Sequence, residues 1–297
     1  MARQIPAQSH AFSIPEIFEL ILLNLDIRTL LTKATRICHT WSHFINSSPR
    51  IQWALFFRPL DNALNKPKTQ NPLLAETFPS IFHQSGYSTG RNTTRNDTDP
   101  DTNTNAANEK VILNLTFTTF DMVRNPHKWD AYIRPEASWR RMLVQQPPVY
   151  TLSLLRSNVG HGGQYLYIYE SLDDQREPAG GLRMDVIFEA LVFGDRWDQD
   201  EYSATTMAWG REYLPKRVRG DLELFGVSDL DLMFYTRLGE TSRGRGYQAS
   251  LGMECDVAKE CDVVKDVKAA YTRLGMKPKY SDEVFLRGRK TWGSLWD

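Results

Sequence analysis

Cys255 and Cys261 are the residues of this chain whose type and proximity first suggest a metal site. A structural zinc ion needs four thiolate or imidazole ligands at short, paired spacings, and no histidine lies near these two cysteines. A thiol buried at Cys261 and one partly exposed at Cys255 is the expectation instead. The run His161, Gly162, Gly163 could shape an oxyanion-binding loop, yet no G-x-S-x-G follows it in the chain. A glycine-rich turn is expected there. SRGRGY, from Ser242 to Tyr247, could touch phosphate or RNA, but it carries neither of the glycine spacings that cradle a nucleotide. The acidic run DRWDQDE could offer Asp195, Asp198 and Asp200 to a cation, although it fits no calcium-loop spacing. PKRVRG, from Pro215 to Gly220, and RGRK, from Arg287 to Lys290, have the composition of weak nuclear-import signals and equally of solvated faces. No set of residues specifies a catalytic centre, a metal or a cofactor.

The elements that would position such residues point elsewhere. The segment SIPEIFELILLNLDIRTLL, Ser13 to Leu31, is apolar almost all the way round, interrupted before Asp26 only by Glu16, Glu19 and Asn24. Proline suits the first position of a helix, so a helix is expected from Pro15 with Ser13 or Ile14 in the cap region. At about 100° per residue Ile17, Ile21, Leu25 and Phe18 fall on one arc and Leu20 and Leu23 on the opposite one. An apolar circumference implies burial on more than one side, in a core, a membrane or a partner. Asp26 and Arg28 cut the run short of the roughly 20 apolar residues a membrane span requires. Core and partner are the readings left.

Three short helices should follow. Asp26 is a cap for one over 27–35, the next runs through Cys38, Trp41, Phe44 and Ile45 to NSSP, and Pro49 opens the last. From about Asn62 the pattern weakens, and residues 84–110 are rich in Asn, Thr, Asp, Gly and Ser with little to bury. Such a composition cannot offset the entropy of ordering, so this stretch is read as a flexible insert or linker. Structure is expected again from Val111. VYTLSLLR and YLYIYES read as strands, GLRMDVIFEALVFG as a glycine-bounded helix, and DLELFGVSDLDLMFYTRL as one or two strands. RPEASWRRML suggests a short helix after Pro135. MECDVAKECDVVKDVKAAYTRLG suggests an amphipathic helix with Val257, Cys261, Val264, Val267, Tyr271 and Leu274 on one face, stopped by Gly275. Most tryptophans of this half are expected in a core.

The fold class is therefore α+β, in four parts. Residues 1–11 form a tail, 12–60 a helical module, 61–110 a linker with a disordered segment, and 111–297 a mixed domain expected to hold a core of its own. Lys+Arg 36 against Asp+Glu 36 leaves no net charge, so no overall field favours nucleic acid or an anionic membrane, and neither is an expected partner. An odd, sparse set of three cysteines and an N-terminus without a signal-peptide pattern lead to the expectation of a cytoplasmic or nuclear protein.

The stretch IPEIFELILLNL, the capped break at Asp26 and RTLLTKATRICHTWSHFINSSPRIQ together resemble the F-box, the helical module that docks onto the adaptor Skp1 in cullin-RING ubiquitin ligases. The resemblance covers roughly residues 12–50. It departs mildly where Ile14 replaces the commoner leucine and Asp26-Ile27 the usual proline-containing turn. It implies Skp1 contact through Ile14, Pro15, Ile17, Leu20, Ile21, Leu25, Leu30, Leu31, Cys38 and Trp41. A looser resemblance, carried by ASWRRMLVQQPPVYTL, GLRMDVIFEALV and FLRGRKTWGSL, is to the C-terminal halves of filamentous-fungal F-box proteins. The function so implied is that of a non-catalytic substrate-recognition subunit of an SCF-type ubiquitin ligase, with Skp1 and through it cullin at one end and a target protein at the other. The alternatives are a Skp1-binding scaffold acting outside a ligase and, less readily, an enzyme in the C-terminal half.

Overall fold

The computed structural model describes residues 14–60, 67–82, 115, 117–159, 165–173, 180–194, 203–210, 214, 219–220, 222–223, 231–238, 257–278 and 290–292. It is a mixture of helices and small sheets with a helical N-terminal region, an α+β arrangement.

Helix α1 (Pro15–Leu23) starts as its proline predicts, with Ile14 in the cap position. In α2 (Ile27–Thr32) the Asp26 carboxylate accepts the Thr29 backbone N–H, the capping bond its residue type supplies. This helix is shorter than the expected 27–35, because the chain tightens into a 3-10 turn at Ala34–Arg36. Helix α3 (His39–Ser47) follows, and Ser48 caps α4 (Pro49–Ala54) by accepting the Ile51 N–H. Phe18, Leu22, Leu30, Ala34, Ile45, Ile51 and Leu55 are all buried and close this bundle. Helix α4 stops on Phe56, which takes a left-handed φ of 59° while the Phe57 N–H returns to the Gln52 carbonyl. Glycine usually holds that position in a helix stop; here the burial of the Phe56 ring offsets the strain.

The stop aims the chain at the rest of the protein. The Leu143 N–H donates to the Phe56 carbonyl at 2.7 Å, and the Gln146 side chain bonds both the Arg58 carbonyl and the Leu60 N–H. Residues 67–82 were expected to be linker and are instead structured. Strand β1 (Thr69–Gln70) pairs antiparallel with β2 (Gln145–Gln146), and helices α5 (Pro72–Thr77) and α6 (Pro79–Phe82) bury Leu74, Phe78, Ile81 and Phe82. The physical reason is Asn71, which is fully buried with its polar atoms satisfied. Its Oδ1 accepts the Leu73 and Leu74 N–H groups, its Nδ2 donates to the Leu143 carbonyl and its own N–H to the Val144 carbonyl. The remaining expected linker residues, 61–66 and 83–110, lie outside the described residues.

Short helical elements then carry the chain across the core: α7 (Asp121–Arg124), α8 (Trp129–Ile133) and a 3-10 turn at Ser138–Arg141. The helix expected after Pro135 is this single 3-10 turn, because the chain must extend at once into β2. A five-stranded sheet follows in the order β5-β6-β3-β4-β7, from β3 (Thr151–Val159), β4 (Tyr165–Asp173), β5 (Ser203–Ala208), β6 (Leu232–Leu238) and β7 (Lys290–Trp292). Among the described strands of this sheet, β3–β6 is parallel and the other pairs are antiparallel. Consecutive residues Leu152 to Leu155 and Leu232 to Phe234 are all buried, so these two central strands are covered on both faces here.

Helix α9 (Met184–Phe193) is buried from Met184 to Val192, its apolar residues and also the carboxylates Asp185 and Glu189, which share one side of it. Helix α10 (Val257–Arg273) buries Val264, Val267, Ala270 and Tyr271 and ends where Gly275 turns left-handed at φ 64°. Leu274 was expected on that buried face, yet it is exposed just past the helix end. One cluster of buried residues runs from Phe18 to Tyr271. Its aromatic hub is Phe78, whose ring lies 5.1 Å from Phe120, 5.2 Å from Trp139 and 6.0 Å from Phe188. A core of its own for 111–297 was the expectation; the core in fact includes Phe57, Leu74, Phe78 and Phe82 from the preceding chain.

Candidate functional site

Helix α1 presents an apolar surface that its own bundle leaves uncovered. Ile14, Ile17, Leu20 and Ile21 are 38–52% exposed, although each is a residue type that burial favours. Their spacing of three, four and seven places them on one side of the helix. The adjoining side carries Phe18 and Leu22, both buried, with the Phe18 ring 4.9 Å from Trp41 and from Phe44. The expected grouping of Phe18 with Ile17 and Ile21 is thus corrected. Inward packing is centred between Phe18 and Leu22, and Ile17 and Ile21 join Leu20 outside.

The ten residues singled out in the sequence divide into three sets. Ile14, Pro15, Ile17, Leu20, Ile21 and Cys38 are exposed, and Leu25, Leu31 and Trp41 are half-buried. Leu30 is 1% exposed and lies in the core, so its part is to hold the helices together rather than to meet a partner. Ile37, which is not among the ten, is the most exposed large apolar residue among those described, at 59%, and stands beside Cys38. Its signal was available, an isoleucine between Arg36 and a cysteine at a helix break.

Glu19, one of the three residues that interrupt the apolar run, is drawn into the bundle. Its carboxylate accepts the Ser48 hydroxyl and the Arg50 guanidinium at 3.0 Å, tying α1 to the cap of α4. Its side chain is only 15% exposed. Glu16, by contrast, is exposed on the outer side.

Two further polar groupings lie deeper. Arg140 and Glu189 form a buried ion pair at 3.7 Å, their side chains 7% and 4% exposed. The Tyr271 hydroxyl stands between them, accepting from Arg140 Nη1 at 2.6 Å and donating to Glu189 Oε1 at 3.2 Å. Arg140 also bonds the carbonyls of Arg134 and Ile133 and stacks on Trp139 and Tyr271. Burial, with the Glu189 charge added, pushes the Tyr271 hydroxyl well above its ordinary range. The second grouping is Asp121, whose carboxylate accepts from Tyr132, Lys128 and Asn125. Burial opposes its ionisation, but these three donors outweigh it and hold the carboxyl below its ordinary value. The polar atoms of each grouping bond one another.

Among the described residues no group of three or more His, Cys, Asp and Glu side chains could hold a metal ion, and no helix is long and apolar enough to cross a membrane. Cys255, His161–Gly163, Ser242–Tyr247, Asp195–Glu201, and most of Pro215–Gly220 and Arg287–Lys290 lie outside the described residues, as does the side chain of Cys261. A Gly-Tyr-Ser-Thr-Gly run at 86–90 has the G-x-S-x-G spacing, but it precedes His161 in the chain and also lies outside them. Trp139 and Trp209 are buried as expected, and Trp129 is half-buried. No family model, curated protein or solved structure matches this chain.

Proposed function

We propose that this chain is a non-catalytic substrate-recognition subunit of an SCF-type ubiquitin ligase, holding Skp1 through its N-terminal helical module and a target protein through the remainder. The observation that carries this reading is the uncovered apolar side of α1, Ile14, Ile17, Leu20 and Ile21, on a bundle whose other side is fully packed. The resemblance of residues 12–50 to the F-box supplies the identity of the partner. A Leu or Ile side chain taken from full exposure to burial contributes roughly 1.5–3 kcal/mol, so these four, about half covered already, would supply the apolar centre of a larger interface. Such a subunit breaks no bond itself. It raises the effective concentration of the target's lysines beside the charged conjugating enzyme.

The test is co-purification of Skp1 with the full chain and with an Ile17→Asp/Ile21→Asp variant. A carboxylate in a desolvated interface costs several kcal/mol, so capture should vanish while circular dichroism shows the helices intact. Glu16→Lys on the solvated margin should leave it unchanged. Undiminished capture by the folded double variant would remove the adaptor reading. Probing the same pull-down for cullin separates a ligase subunit from a scaffold that binds Skp1 alone.

A further inference from the structure

A groove of about 630 Å³ runs between α10 and the α7–α8 region. Small and apolar residues line it, the exposed Ala269 and the buried Ala270 from α10 and the buried Met122 from α7. Trp129 and Val263, both half-buried, line it as well. A volume of this size accepts a few side chains of an extended segment. The two adjacent alanines matter, because larger residues on this stripe of α10 would fill the channel.

The charges around the groove select its occupant. Asp130 and Asp266 stand on its edges against a single cation of the lining, Arg273. Arg273 is already engaged by Asp130 at 3.7 Å. The neighbouring Lys265 is engaged by Asp262 at 3.6 Å. Asp266 therefore has no ion-pair partner among the described residues. It lies two turns of α10 before Arg273, about 10 Å along the axis at 1.5 Å per residue. A carboxylate at the edge of an apolar channel, beside an indole, complements one kind of side chain: a long aliphatic stem ending in a cation. The stem lies along the alanines, the indole face attracts the cation, and Asp266 receives it. The same carboxylates repel phosphate, which disfavours nucleic acid and phosphopeptides.

We propose that this groove is a docking site for a short segment of a partner protein that carries lysine or arginine between apolar residues. It deepens the adaptor reading, and rests on it only in calling that partner the ligase target.

The experiment is selection of a phage-displayed random dodecapeptide library on the full chain, with the strongest sequence then made as a labelled peptide for anisotropy titration. Enriched sequences should carry Lys or Arg flanked by apolar residues. Asp266→Lys should weaken the peptide by roughly tenfold, more than the few-fold an exposed pair contributes, because attraction becomes repulsion. Ala269→Trp, which fills the channel from an exposed helix position, should abolish binding, and added salt should weaken the wild-type complex. No enrichment, enrichment of acidic sequences, or affinity indifferent to Asp266→Lys would each overturn the proposal. Melting curves confirm that the variants fold; should Ala269→Trp not fold, Asp266→Lys decides the matter. Skp1 capture is measured on the same samples. Retained capture with no peptide binding removes the groove proposal alone, and selective peptide binding without Skp1 capture removes the adaptor reading alone.

Discussion

Arg140 and Glu189 offer the sharpest test of what holds this core together. Replacing Arg140 with methionine keeps much of the volume but leaves the Glu189 carboxylate buried at 4% exposure without its cation. It also strips a donor from the Tyr271 hydroxyl and from the carbonyls of Ile133 and Arg134. Breaking one partner of a buried pair costs about 3–5 kcal/mol, a large part of the about 5–15 kcal/mol by which folded domains are stable. Urea unfolding followed by tryptophan emission is the assay, since Trp139 lies against Arg140 and reports on its surroundings. With a urea dependence of about 3 kcal/mol per molar, the midpoint should fall by about 1–1.7 M. Glu189→Gln, which still accepts the Tyr271 hydrogen bond, isolates the loss of charge and should cost less. The decisive variant is Arg140→Met/Glu189→Leu. Removing both charges leaves no uncompensated ion, so it should be more stable than the sum of its two single variants predicts, by about 1–3 kcal/mol. Strict additivity would show that the two residues do not act as a pair.

Phe78→Ala removes the ring shared by Phe120, Trp139 and Phe188 and should destabilise by about 3–5 kcal/mol; a shift in the urea midpoint no larger than that of a surface variant would refute its place as hub. Glu19→Ala should lower the melting temperature while Glu16→Ala leaves it unchanged, because only Glu19 bonds Ser48 and Arg50; equal melting of the two would contradict the contact. The pH profile has two limbs. The carboxyl of Asp121 is depressed, so its stabilisation is complete above its unfolded value of about 4 and is lost as pH falls through the lower folded value, and Asp121→Asn should flatten that acid limb. Tyr132 and Tyr271 are raised, so their stabilisation is complete below about pH 10 and fades as alkali ionises them; melting temperatures unchanged above pH 10 would count against this.

Local signals were readable wherever one residue type suffices to start or stop an element. Pro15, Asp26, Ser48 before Pro49, and Gly275 all act at the positions their chemistry dictates. Residues 67–82 carried the same kind of signal, Asn71 before Pro72, and the polar composition further along obscured it. Other features depend on contacts distant in sequence and leave no local trace. Nothing near Glu19 announces that Ser48 will meet it, and nothing in GLRMDVIFEALVFG tells which cation will neutralise Glu189. The oily circumference of α1 announced apolar surface beyond what its own bundle covers, but not the phase of that surface. Phe18 points inward because Trp41 and Phe44 receive its ring, and only that contact fixes Ile17 and Ile21 as the outer pair.

The way the two halves are joined bears on how an adaptor would work. A free linker over 61–110 would let the module and the target-binding part separate by an r.m.s. distance of about 40 Å, on the scaling for flexible chains. The described contacts argue for a tighter coupling. Phe56, Arg58 and Leu60 bond directly to Leu143 and Gln146, β1 pairs with β2, and Arg28 of α2 meets Glu76 of α5 at 2.8 Å. On the far side, Phe82 packs 5.2 Å from Trp209, and the Trp209 indole N–H donates to the Ile81 carbonyl. The chain that leaves at Phe82 and resumes at Leu115 therefore has both ends in one core, with Leu115 bonded to Thr205 of β5. The described residues on either side of it, Phe82 and Leu115, thus belong to one cluster of buried residues. A target seated beside α10 would then be held at a fixed distance and orientation from a partner seated on α1. Fixed geometry concentrates the benefit of tethering on those target lysines that fall within reach, and it withholds that benefit from the rest.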